Sequence, residues 1–194
     1  MIPSDLLLNA YATGWFPMAV GQEMQWFSPD PRGIVPLEGF HVPKRLARVL
    51  RKAPFRIEIN TAFADVMRAC AADERDPEDP GTWINDEIID SYVALHGRGF
   101  AHSVETWIDD RLVGGLYGVA LRGAFFGESM FFRETDASKV ALVALVERLR
   151  ARGYVLLDTQ WTTPHLEQFG AIEIRRAEYL RLLRQALRLD CSFV

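Results

Sequence analysis

The stretch AHSVETWIDDRLVGGLYGVALRGAFFGESMF, residues 101–131, leaves this chain little freedom of fold. Asp109-Asp110 and Arg122-Gly123 interrupt its apolar runs with tight polar turns. That spacing predicts three antiparallel strands, over residues 102–108, 112–121 and 124–131, joined as a meander. Gly114, Gly115, Gly118 and Gly127 fall inside the strand patterns, where glycine marks a bulge or a close approach of a ligand to the backbone. Glu128 stands among Phe125, Phe126, Met130 and Phe131. A lone carboxylate in such a strand is costly to bury unless something cationic or hydrogen-bonding meets it, so function is expected around Glu128.

Before the meander, residues 1–35 read as a small aromatic, Pro-punctuated N-terminal domain and residues 36–194 as the main domain. Asp5 is placed to cap a short helix reaching Tyr11 and ended by Gly14. Trp15-Phe16-Pro17-Met18 and Trp26-Phe27-Ser28-Pro29-Asp30-Pro31-Arg32 then follow in loop-like sequence, as a satellite core or as a stacking surface. Residues 43–52 predict a helix with Leu46, Val49 and Leu50 on one face and Lys44, Arg48 and Arg51 stacked on the other. No carboxylate lies between Glu38 and Glu58, so that basic face is either solvated or a phosphate contact. A strand at 55–60, a helix at 62–72, a loop at 73–81 and a helix at 86–96 complete the approach. Trp83, at the loop–helix junction, is either core packing or a platform for a base.

After the meander, Thr135 or Asp136 is placed to cap a helix over 137–152 that Gly153 ends. Residues 154–159 form a continuous apolar strand, which implies burial on both faces. A helical turn at 164–169, a strand at 171–175 and an Arg-rich helix at 176–189 close the chain. The order suggests an α/β (α+β) fold with a mixed, mostly antiparallel sheet flanked by helices, like that of GCN5-related N-acyltransferases. An acyl-CoA enzyme of that kind needs a Gly-rich phosphate loop before the helix at 137. This chain has Phe132-Arg133-Glu134-Thr135-Asp136 there, without glycine and with two carboxylates that would repel the phosphates. The acyl group is therefore expected on a carrier other than CoA.

Asp158 and Gln160 end the buried strand, and a period of two predicts both side chains on one face. They read either as a turn cap and a loop amide, or as a pair that orients an amine and takes up its proton. Glu128 from the neighbouring meander suggests a shared polar pocket suited to a cationic acceptor. Other chemistry fails on spacing. Ser129 lacks the second glycine of a nucleophile elbow, and His41, His96, His102 and His165 show no metal-ligand pairing. There is no P-loop and no G-x-G-x-x-G. No apolar run approaches the ~20 residues of a membrane span, and the start has no basic n-region. Cys70 and Cys191 fit a reduced, cytoplasmic setting. A net charge of −4 argues against indiscriminate nucleic-acid binding but leaves room for a local basic face.

Several segments together resemble the leucyl/phenylalanyl-tRNA–protein transferase family. They are Ala10-Tyr11 with Gly14 and Phe16-Pro17, Ser28-Pro29-Asp30-Pro31-Arg32, Gly81-Thr82-Trp83-Ile84, Ala101-His102-Ser103-Val104-Glu105, Leu112-Val113-Gly114-Gly115-Leu116-Tyr117-Gly118-Val119, Phe126-Gly127-Glu128-Ser129-Met130-Phe131, Ala137-Ser138-Lys139 and Asp158-x-Gln160. The resemblance implies an aminoacyltransferase that moves Leu, Phe or Met from aminoacyl-tRNA to an N-terminal Arg or Lys of a protein, marking it for N-degron proteolysis. It implies no cofactor, neither metal nor CoA, since aminoacyl-tRNA is itself the substrate. It further implies no membrane, a monomer, and an acyltransferase-like main domain behind a small N-terminal domain. By matching motifs, Asp158, Gln160 and Glu128 would be catalytic. Trp83 would meet the terminal adenosine, and Lys44, Arg48 and Arg51 the acceptor-stem phosphates. Leu116, Phe125, Met130, Leu142, Leu145, Leu149 and Leu157 would line the side-chain pocket. Three departures stand out: the chain starts late against the family pattern, Met18 replaces a frequent Trp, and Phe132 and Asp136 replace small residues or Asn. With Met18, a second adenine stack would have to come from Trp15 or Trp26. The remaining alternatives are an acyl-CoA N-acetyltransferase of GCN5-related type and a non-enzymatic RNA-binding module.

Overall fold

The computed structural model describes residues 1–21, 23–72 and 82–194. The loop expected over 73–81, Gly81 included, lies outside the described residues. Among these the order is α1 (Ser4–Ala12), β1 (Phe16–Val20), β2 (Glu23–Phe27), β3 (Arg32–Val35), α2 (Lys44–Lys52), β4 (Arg56–Ile59), α3 (Phe63–Ala72), α4 (Asp86–Gly97), β5 (Ala101–Ile108), β6 (Arg111–Leu121), β7 (Ala124–Phe132), α5 (Ala137–Ala151), β8 (Leu156–Gln160), α6 (Pro164–Glu167), β9 (Ile172–Ile174) and α7 (Arg176–Ala186). Seven strands form one mixed sheet in the order β4-β5-β6-β7-β8-β3-β9, and β1 pairs with β2 as a separate hairpin. Every neighbouring pair in the large sheet is antiparallel except β7 and β8. The chain thus has the expected α/β architecture, a mixed sheet with helices on both faces.

The meander supplies the centre of the sheet because its strands alternate apolar side chains with a period of two. Tyr117, Val119 and Phe126 pack on one face with Tyr11 of α1, Met67 of α3, Tyr92 of α4 and Tyr179 of α7. Leu116 and Phe125 point to the other face, where Leu46 of α2 and Val140, Leu142, Leu145, Val146 and Leu149 of α5 cover them. In β8, Leu156 joins the first cluster and Leu157 the second, so this strand is buried on both faces as its unbroken apolar run predicts.

The first 35 residues are less loop-like than their prolines suggest. Phe16–Val20 and Glu23–Phe27 pair in register as a hairpin, and Arg32–Val35 enters the main sheet between β8 and β9. The prolines hide these strands because proline normally demotes a run to an edge or a turn, and Pro17 here sits in a two-stranded ribbon opposite Trp26. Neither of two expected caps bonds a backbone N–H of its helix, although Asp136 does stand at the cap position of α5. Asp5 lies in the first turn of α1, where it binds Arg98 at 2.8 Å, while Pro3 occupies the cap position. Asp136 precedes α5 at φ 68°, and its carboxylate accepts from Lys139 at 3.0 Å rather than from a backbone N–H.

Two irregularities position the site. Parallel pairing between β7 and β8 stops at Phe126 and Asp158, although both strands run on. Just beyond, Gly118 pairs with Gly127 while Tyr117 pairs with Ser129, which leaves Glu128 as the extra residue of a bulge. Gly118 is needed for this, since a Cβ there would lie 2.2 Å from the carbonyl oxygen of Phe126. The neighbour that comes close to Gly118 is therefore the partner strand, not a ligand.

Candidate active site

A cavity of about 570 Å³ occupies the gap where β7 and β8 part. Glu128, Ser129 and Met130 line it from β7, and Leu157, Thr159 and Gln160 from β8. Leu116 of β6 with Leu142 and Leu145 of α5 make a greasy wall. Phe16, Met18, Trp83, Phe132 and Trp161 add aromatic and thioether surface. Phe132 and Trp161 are 59% and 42% exposed, which places them at the rim rather than the floor. Trp161 packs edge-on against Phe16 at 5.3 Å, and Ala19 of β1 bonds the Trp83 carbonyl at 3.2 Å. The N-terminal hairpin therefore holds this rim.

The polar floor is built from the ends of β7 and β8. Gln160 adopts φ 60°, and Trp161 N–H closes a three-residue turn onto Thr159 O at 2.6 Å. This left-handed step turns Gln160 away from the alternation of the strand. Its side chain reaches the Glu128 bulge, with Nε2 donating to Glu128 Oε1 at 3.2 Å. Asp158 goes the other way. Asp158 and Arg32 are each 0% exposed and form a two-pronged ion pair, Nε to Oδ1 at 2.9 Å and Nη2 to Oδ2 at 2.7 Å. Tyr179 O–H also donates to Oδ2 at 2.6 Å, and Gln160 N–H to Oδ1 at 2.9 Å. The expectation that Asp158 and Gln160 share a face thus gives way to a hinge. Asp158 grips the backbone of Gln160, and Gln160 alone of the two lines the cavity.

Arg32 is held as firmly as the carboxylate it meets. Its guanidinium lies 5.0 Å from the centre of the Phe16 ring and 4.3 Å from that of Tyr179, and Nη1 donates to Gly14 O at 2.9 Å. Burial opposes its charge, yet Asp158 and, after it, Tyr179 and Glu128 together outweigh that effect and raise the Arg32 pKa. Glu128 experiences the opposite balance. Burial pushes its carboxyl from 4.5 up to about 8, against the Tyr11 hydrogen bond, with Asp158 pushing further up and Arg32 pulling down. Behind it, Tyr11 O–H donates to Oε1 at 2.7 Å and is itself bonded to the buried Tyr92 hydroxyl.

Of the pocket residues the sequence singles out, Leu116, Met130, Leu142, Leu145 and Leu157 line the cavity. Phe125 and Leu149 do not; both are fully buried in the α5-side core, and Phe125 stacks 5.2 Å from Phe193. They face the same side of the sheet as the wall but lie behind it. Trp83 lines the cavity, whereas Trp15 and Trp26 stay off its wall and Trp161 takes a place there instead. Lys44, Arg48 and Arg51 are exposed along α2. That helix packs on α5, and its Arg45 lies 3.8 Å from Asp136 at the start of α5. The basic helix and the greasy wall are thus one assembly. Sequence reasoning missed Arg32, Tyr11, Tyr92, Tyr179 and Trp161 as site residues. Arg32 and Tyr11 stand inside the family-like motifs, and Trp161 directly follows Gln160, but nothing local announces Tyr92 or Tyr179. Among the described residues no group of His, Cys, Asp and Glu side chains is arranged to hold a metal ion.

Comparison with known proteins bears on what such a cavity serves. The profile described as leucyl/phenylalanyl-tRNA protein transferase matches residues 34–184, and that of its N-terminal domain matches residues 2–30. The leucyl/phenylalanyl-tRNA–protein transferase of Gloeobacter violaceus is 54% identical over 191 residues, covering 97% of this chain and 96% of its own. That of Paramagnetospirillum magneticum is 58% identical over 189 residues, covering 96% and 90%. Among solved structures, L-PGS from Bacillus licheniformis overlaps with a TM-score of 0.44 at 14% identity, over 84% of this chain and 54% of that one. Matches of this identity over nearly the full length of both chains show that the chain belongs to the leucyl/phenylalanyl-tRNA protein transferase family.

Proposed function

We propose that this protein transfers Leu, Phe or Met from aminoacyl-tRNA to the N-terminal Arg or Lys of acceptor proteins, marking them for N-degron proteolysis in the cytoplasm. The observation that carries the reading is one cavity with a wall of leucine and methionine facing a floor of Glu128 and Gln160. An aliphatic or aromatic side chain that is unbranched at Cβ fits the wall, and β-branching next to the ester would crowd its entrance. The carboxyl and amide opposite suit a cationic N-terminus. Trp83 offers a face to the terminal adenosine, and Lys44, Arg48 and Arg51 offer charge to the acceptor stem.

The chemistry is direct aminolysis. The neutral α-amine of the acceptor attacks the ester carbonyl, Gln160 aligns it, and Asp158 fixes Gln160 through its backbone N–H. Most of the acceleration comes from holding two reactants together, and no covalent enzyme intermediate forms. Neither CoA nor a metal takes part in this scheme, and a monomer suffices for it. The test is transfer of labelled Leu from leucyl-tRNA to peptides beginning with Arg, Lys or Ala. Label on the Arg and Lys peptides and none on the Ala peptide is the expected result. Failure to label any of them would overturn the reading, and so would equal labelling of all.

A further inference from the structure

Aminolysis releases a proton, because the acceptor arrives as an ammonium. Asp158 is poorly placed to take it: four donors already fill its two oxygens, and it lies off the cavity wall. Among the described residues, Glu128 is the carboxyl group that lines the cavity. Both hydrogen bonds that reach it from the described residues, from Tyr11 O–H at 2.7 Å and Gln160 Nε2 at 3.2 Å, end on Oε1. We propose that Oε2 of Glu128 receives the proton of the acceptor's α-ammonium, and that Tyr11 and Tyr92 are positioning residues that pin Oε1 so that Oε2 meets the substrate. The proposal rests on the aminoacyl-transfer reading.

The direction of the hydrogen-bond chain supports it. Burial, and after it the charge of Glu128, raises the Tyr11 and Tyr92 pKa values well above the ordinary tyrosine value, so both phenols keep their protons. Tyr11 must therefore donate to Oε1, and Tyr92 completes the line by donating to Tyr11. A proton arriving on Glu128 then has only Oε2 to occupy. The other groups bearing on this carboxyl are Asp158 of β8, Arg32 of β3 and Tyr179 of α7, with His165 of α6 across the cavity. The Glu128 value of about 8 lies close to the ~7.7–8.0 of a free α-amine, so the transfer between them is nearly balanced.

One of the three ammonium protons passes to Oε2, and the freed lone pair forms the new C–N bond. The ester C–O bond breaks with its electron pair moving to the ribose oxygen, which takes the second proton. The third stays on the amide nitrogen, and Glu128 later returns its proton to solvent.

The experiment is the pH profile of kcat/KM for transfer from leucyl-tRNA to an Arg-initiated peptide, in the parent protein, Tyr11→Phe, Tyr92→Phe and Glu128→Gln. The acceptor's own ionisation is the same in all four. Tyr11→Phe removes a bond that lowers the Glu128 pKa, so the rising limb should move up by about one pH unit, with about tenfold loss near neutrality and recovery at high pH. Tyr92→Phe should move it the same way by less. Glu128→Gln should lose about 100-fold at every pH and keep its affinity for aminoacyl-tRNA. A uniform loss in Tyr11→Phe with an unmoved limb would mean a structural role only and overturns the proposal; if that variant fails to fold, an unmoved limb in Tyr92→Phe does the same. Absence of transfer by the parent protein at every pH would instead sink the aminoacyl-transfer reading, and this inference with it.

Discussion

Arg32 and Asp158 illustrate how little an ion pair at the heart of a protein has to do with net stability. Desolvating both charges costs several kcal/mol, and the pair recovers that only because both carboxylate oxygens and all three guanidinium nitrogens find partners. Removing one partner strands the other, so Arg32→Met should cost about 3–5 kcal/mol in urea unfolding. The double variant Arg32→Met with Asp158→Leu should regain most of that stability while remaining inactive in transfer, because Gln160 N–H has lost its acceptor. A double variant as unstable as the single one would show that the pair itself, not the stranded charge, carries the energy. Glu128 gives a second prediction. Its carboxyl is held at about 8 in the folded protein against 4.5 in an unstructured chain, so the native state keeps a proton that the unfolded chain has shed. The stability this contributes is complete below about pH 4.5 and is lost as the pH rises toward about 8. Glu128→Gln should therefore show a flatter dependence of Tm on pH than the parent across that window. An unchanged slope would place the carboxyl nearer its ordinary value. Glu128 was legible as an anomaly, a charge in an apolar strand beside a glycine. Arg32 was not, because its partner lies 126 positions away and no local pattern reports such a pairing.

At the scale of elements, the helices that announced themselves did so through their ends. Asn85 accepts from Ile88 N–H at 2.9 Å and starts α4 where the sequence places it. Gly153 follows the end of α5, again as expected. The three strands before residue 36 were hidden because their signal is divided among short runs with prolines between them, and only pairing with β8 and β9 gives β3 its place. The α2 helix carries a prediction of its own. Its exposed cations ride on a helix anchored through Leu46 to the α5 layer that also forms the greasy wall. Replacing Lys44, Arg48 and Arg51 by Ala together should weaken tRNA binding and reduce the slope of log affinity against log salt by about 2–3, or ~0.7–0.9 for each phosphate no longer neutralised. A slope identical to that of the parent would mean that the face is merely solvated.

In the whole molecule, the N-terminal residues are fastened to the main sheet at its most sensitive point. Tyr11 bonds the bulge, Gly14 and Phe16 hold the Arg32 guanidinium, and Arg32 holds the end of β8. Unfolding the first segment thus strips the site and bares a buried carboxylate. Far-ultraviolet and near-ultraviolet signals should follow one urea transition, the second reporting the packed aromatic side chains, Tyr11 and Phe16 of the N-terminal segment among them; an early near-ultraviolet phase would show that this segment detaches alone.

The ladder between β6 and β7 counts one residue more on one side than on the other, and that surplus is Glu128. A strand of this kind keeps its meaning in phase as well as in composition. Excising Gly127 would leave every reactive atom in the chain, yet it would even the count and rotate the carboxyl out of step with its tyrosine. The lesion would be one of timing along the strand, invisible to any inventory of which side chains remain.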